Sequence, residues 1–235
     1  MAGRSTQSPK ADDGATAIGR LRTALGSAEA AAIAGVFAAG GWIYVLSFFL
    51  GGPRVGATEN DIAAFFSDRG STAGTNFSLQ VLVFSTIAFL YFIGVIRNRI
   101  RGEGHKLFDS VFMGGGVLVA ALLFVGVAAL AAPFVQAAQG GVDVDPAAAA
   151  LTRSHAAVII GQFTTRIAAM FVFATSTLGL RTQVLPKWLT IAGYGVGAAL
   201  LFNVIFFTPT IYIFPGYIAV ASIVLLFRRH PITSD

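Results

Sequence analysis

Six apolar stretches, each about as long as a bilayer is thick, constrain this chain more than any other feature. They run over roughly 29–50, 77–96, 108–135, 156–180, 188–207 and 212–227. A helix rises about 1.5 Å per residue, so about twenty residues cross a hydrocarbon core of about 30 Å. In that medium backbone N–H and C=O groups must bond internally, which leaves helices or a closed barrel. None of the stretches alternates as a barrel strand would. The expected fold class is an all-α integral membrane protein, a six-transmembrane-helix bundle.

The basic residues give it a direction. Of 16 Lys and Arg, 12 fall in every other connection: Arg4, Lys10, Arg20 and Arg22; Arg97, Arg99, Arg101 and Lys106; Arg181 and Lys187; Arg228 and Arg229. Arg54, Arg69 and Arg153 occupy the intervening connections, and Arg166 lies inside the fourth stretch. Basic loops stay in the cytoplasm during insertion. Both termini are therefore expected to be cytoplasmic, with the chain in the inner or plasma membrane of the cell. The formal charge of +5 raises nucleic acid as a partner. Its carriers flank apolar segments instead of lining a soluble face, so no nucleic acid is expected and membrane lipids with anionic headgroups are.

Only 11% of the residues are charged and 55% are hydrophobic, against about 25% charged in a soluble domain. There is no cysteine, which excludes disulfides and thiolate chemistry. Residues 1–18 are too polar to order themselves and are expected to form a cytoplasmic tail ahead of a transmembrane domain over 19–235. The first apolar run is too long for a cleavable signal and lacks a small-residue cleavage site. Richness in Ala, Gly, Val and Arg suggests a GC-rich bacterium.

The connections carry local signals. Gly51, Gly52 and Pro53 should end the first helix. Over 58–69, Thr58 and Asp61 have capping-box spacing ahead of Ile62, Phe65 and Phe66, which predicts a short amphipathic helix lying flat among the outer headgroups. Asp145 and Pro146 make an N-cap followed by proline at the first helical position. Small residues recur at helical spacing in Ala31, Gly35 and Ala39, in Gly193 and Gly197, and in the run from Gly114 to Gly116. Such faces let helix backbones approach closely in lipid. They fit packing within one bundle first, and an interface with a second copy or another membrane protein second.

Arg166 is the outlier, because an arginine at membrane depth needs a partner, water or an exit to the interface. Counted from the basic end of its helix it falls about 10 Å inside the outer boundary. At about 100° per residue, His155, Gln162 and Arg166 form one polar stripe. Gln80, Asn203, Tyr44 and Ser47 also fall in the outer half. Together they predict an outward-facing polar cavity in which Arg166, Gln162, His155 and Asn203 bind a lipid headgroup or another anionic small molecule, the guanidinium offering a planar set of donors. The competing reading is structural: Arg166 snorkels outward or pairs with Asp143, Asp145 or Asp61.

Enzyme signatures are missing: no nucleophile with a His and an acid at one depth, no facing carboxylates, no phosphate loop. His105 and His230 fall on the side opposite His155, so no cofactor or metal is expected from histidines. At most, Asp61, Asp68, Asp143 and His155 could gather around a metal. No embedded Asp or Glu offers a proton relay. The reading is a non-enzymatic accessory or interaction subunit. Its alternatives are a small permease or channel for an organic anion, and then a membrane enzyme acting on lipids. A channel would need a path through the inner half, where the polar residues are Tyr91, Thr175, Ser176, Thr177 and Tyr194.

Ala34 and Gly35, the acidic stretch over 59–68, and Leu185, Pro186, Lys187, Trp188 and Leu189 ahead of Ala192, Gly193 and Tyr194 carry a resemblance. The chain resembles a group of uncharacterised six-helix bacterial integral membrane proteins of a domain-of-unknown-function family, frequent in actinobacteria. The resemblance implies topology, and no activity or site residue.

Overall fold

A computed structural model describes residues 28–52, 57–69, 72–100, 106–138, 144–183, 185–202 and 209–227. The tail 1–18, Asp143 and Asn203 lie outside them, as do the side chains of Asp68 and Lys106. Among the described residues every regular element is helical: α1 Ala28–Leu50, α2 Glu59–Arg69, α3 Thr72–Ile100, α4 Lys106–Ala138, α5 Pro146–Val158, a π turn Ile159–Thr164, α6 Thr165–Thr182, α7 Lys187–Leu201, a 3-10 turn Pro209–Tyr212 and α8 Ile213–Phe227. Five helical stretches are long and apolar enough to cross a membrane: Glu29–Leu50, Ala73–Asn98, Leu107–Ala138, Pro146–Thr182 and Thr210–Phe227. The chain is thus a multi-pass membrane protein. The described part of α7 has 15 residues, below the usual spanning length.

The helices close into a ring in chain order, α1 on α3, α3 on α4, α4 on α6, α6 on α7, α7 on α8 and α8 back on α1. Aromatic rings fill its axis. Trp42 packs on Phe89 at 4.7 Å and Phe214 at 6.0 Å between centroids. Phe171 lies 5.7 Å from Phe89 and 4.9 Å from Phe112. The Trp42 indole N–H donates to Thr86 Oγ1 at 3.2 Å, so the polar end of this ring is satisfied inside the core. The outside is apolar as well: Ile191 is 65% exposed, and Phe84 and Phe163 are about half exposed. In water such a girdle would drive aggregation; against lipid tails it costs nothing.

Because lipid is as apolar as the side chains, helix association here rests on close packing. Small residues permit it. A Cβ added to Gly35 of α1 would fall 2.0 Å from Ser222 Oγ of α8, and one on Gly41 1.8 Å from Ser85 Oγ of α3. One on Gly193 of α7 would fall 2.1 Å from Ser176 Oγ of α6 and 2.9 Å from Tyr217 Oη of α8. Gly35, Gly193 and Gly197 therefore pack inside the bundle, as do Gly115 and Gly116 against Phe171, whereas Gly114 faces open space.

The local signals in the connections appear as hydrogen bonds. Thr58 Oγ1 donates to Asp61 Oδ2 at 2.7 Å and accepts from the Asp61 amide at 3.3 Å. Asp145 Oδ1 accepts from the Ala147 amide at 2.9 Å with Pro146 opening α5. The short helix α2 packs against the bundle. Its apolar edge is spent on protein: Ile62 and Phe66 are buried, and Phe65 and Phe66 pack edge-on against Phe134 of α4 at 5.9 and 5.1 Å. Three rings close together hold α2 against α4 at one end of the bundle. The other end carries Arg97, Arg181 and Lys187 and is called the basic end below.

Candidate functional site

Arg166 sits one residue into α6, immediately after the π turn. Cβ atoms tilt toward a helix N-terminus, so a long side chain here leans away from the basic end. It does: the Arg166 Nη1 donates to the Gln162 carbonyl at 2.8 Å and to Gln162 Oε1 in a very short contact. From Leu180, near the basic end, the Arg166 backbone lies about 21 Å along the helix and Gln162 about 6 Å further. The guanidinium therefore reaches to within a few ångströms of the far boundary of a core about 30 Å thick. Both residues are half-buried, flanked by the exposed side chains of Phe163 and Met170.

No carboxylate among the described residues lies within ion-pair distance of Arg166; the ion pair they form is Arg97 Nε to Asp109 Oδ1 at 2.9 Å, at the basic end. Asp61 and Asp145 are committed to their helix caps. Gln162 gives Arg166 two acceptors and no charge. Its own Nε2 is buried without a partner among the described residues.

The π turn explains why the predicted stripe divides. One residue inserted into an α ladder rotates everything beyond it by about 100°. His155 precedes the turn, Gln162 lies within it and Arg166 follows it. Gln162 and Arg166 remain together through their hydrogen bonds, while His155 is exposed and lies about 38 Å from Leu180, beyond a core of about 30 Å. Gln80 and Tyr44 are exposed on α3 and α1, and Ser47 bonds Tyr212 Oη at 3.4 Å. None of these helices adjoins α6 in the ring. Of the predicted site, Arg166 and Gln162 are joined by hydrogen bonds, and His155 stands apart from them on α5.

Two features escape a sequence reading. Thr164 Oγ1 donates to the Ile159 carbonyl, five residues back, at 2.8 Å, and Thr165 Oγ1 to the Gly161 carbonyl at 2.8 Å, so side chains help satisfy the widened turn. Ile160 of the turn fits where a Gly126 side chain on α4 would stand, 2.3 Å from the would-be Cβ. Second, Arg153 is a brace, since its Nη2 donates to the carbonyls of Leu50 and Gly52 at 3.2 and 3.3 Å. The Gly51 and Gly52 breaker was the available signal, because a helix end leaves carbonyls in need of donors.

No three His, Asp or Glu among the described residues gather as a metal site. Compared with known proteins, the chain matches no family model, no curated protein and no solved structure.

Proposed function

We propose that this is a six-span, non-enzymatic protein of the plasma membrane with both termini in the cytoplasm. It acts as an accessory or interaction subunit, and Arg166 with Gln162 holds the anionic headgroup of a membrane lipid or amphiphile at the outer leaflet. The carrying observation is an arginine near one boundary of the apolar zone, bonded through one nitrogen to a neutral side chain and paired with no described carboxylate. An anion there would gain charge-assisted hydrogen bonds in a medium of low dielectric. Exposed Phe163 and Met170 beside the pair offer contact to acyl chains.

The sixth span is supported by α7, which runs antiparallel along α6 through Gly193 on Ser176 and Gly197 on Phe173. Orientation rests on the basic residues, 12 of 16 on one side. A permease is the weaker reading, because Trp42, Phe89, Phe112, Phe171 and Phe214 occupy the axis that a path would follow. The test is lipid analysis of protein purified from native membranes. Arg166→Ala should lose the co-purifying anionic lipid while keeping its detergent-solubilised folded state, and Arg166→Lys should retain part of it. Unchanged lipid, or loss of the fold in both variants, would reject the reading.

A further inference from the structure

We infer that Gln162 is the specificity-determining residue of this site, the one that keeps Arg166 a receptor for an oxyanion. The inference rests on the ligand reading of Arg166. Position 162 lies one turn before Arg166, where a glutamate would form a favourable intrahelical ion pair with it. Glutamine supplies the same two acceptors, its carbonyl and Oε1, to a single nitrogen, Nη1. It fixes the guanidinium without neutralising it. The full positive charge, and the N–H groups of Nε and Nη2, which bond no described residue, are left for a ligand.

The arrangement is also selective in sign. Both acceptors that Gln162 offers toward Arg166 are taken up by Nη1, and no described carboxylate stands within ion-pair reach. The pair carries a positive charge and no negative one, so it favours a phosphate or carboxylate oxyanion over the ammonium of a zwitterionic headgroup. Glutamine here also leaves its Nε2 buried and without a partner among the described residues. A glutamate there would set a negative charge against Arg166, which the neutral glutamine does not.

Gln162→Glu separates the two roles. Native mass spectrometry in detergent with added phosphatidylglycerol should show binding weakened about tenfold or more, with thermal stability equal or higher. Gln162→Leu, which cannot neutralise Arg166, should weaken binding less than Gln162→Glu. Millimolar inorganic phosphate added as a competitor distinguishes a site for free oxyanions, which it would clear of phosphatidylglycerol, from one that needs the lipid. Undiminished binding by Gln162→Glu, with Arg166→Ala still defective, would overturn this inference and leave the ligand reading intact. Undiminished binding by both variants would overturn both.

Discussion

Gly40 and Gly41 are adjacent in α1, and replacing each by alanine should move stability in opposite directions. Alanine is the better helix former by about 0.8–1.0 kcal/mol, a gain common to both sites. A Cβ at Gly40 meets nothing within 4 Å. A Cβ at Gly41 would stand 1.8 Å from Ser85 Oγ, 2.9 Å from Ser85 Cβ and 3.3 Å from a Val81 methyl. Rotation of the serine can move its Oγ aside, but its Cβ is fixed by the backbone of α3. Two carbons normally sit about 3.5–4.0 Å apart, so the helices must separate by roughly 0.6 Å or more. Overpacking of that kind costs about 1–3 kcal/mol, and since the propensity gain cancels, this is the expected difference between the variants. Unfolding of purified protein in mixed micelles, followed by tryptophan fluorescence, measures it. Adding Ser85→Gly removes both clashing atoms, and a double-mutant cycle should show that Gly41→Ala is tolerated in that background. Equal stability of Gly40→Ala and Gly41→Ala, or no coupling to Ser85, would refute the packing argument.

Arg153→Ala removes the donor to Leu50 and Gly52, which should cost about 1–2 kcal/mol and speed hydrogen exchange in the last turn of α1 while leaving α6 unchanged. Gln183, which ends α6, holds a left-handed φ of 57° that a side chain resists. Gln183→Gly should raise the unfolding midpoint, with a net gain of about 0.5 kcal/mol after loss of its hydrogen bond to the Leu180 carbonyl. A fall in that midpoint would show that the side-chain bond outweighs the backbone strain.

What could be read in advance were features governed by local rules. Apolar length located α1, α3, α4 and α8 to within a few residues, apart from polar extensions at helix ends, and cap chemistry located the starts of α2 and α5. Features set by contacts between distant residues could not be read. Whether Gly41 meets Ser85 or open lipid depends on the rotation of α1 against α3, which a helix so evenly apolar does not announce. The π turn is hidden for a related reason. It packs against Gly126, on another helix, and without the turn the 100° rule placed His155 in line with Arg166. The Phe65 and Phe66 edge looked the same whether its partner was lipid or Phe134. Arg166 itself stood out as an anomaly of composition, but only coordinates could show that Gln162 is the residue it bonds.

The absence of cysteine makes the central claim directly measurable, because an introduced thiol is the protein's only one. Phe163→Cys, beside the Arg166–Gln162 pair and leaving it intact, should react in sealed, oriented vesicles with a membrane-impermeant thiol reagent added on the side opposite the cytoplasm. Prior incubation with phosphatidylglycerol should slow that reaction, and should no longer slow it once Arg166→Ala is added. Labelling from the cytoplasmic side alone, or none while a His155→Cys control labels fully, would contradict an anion site facing the outer leaflet.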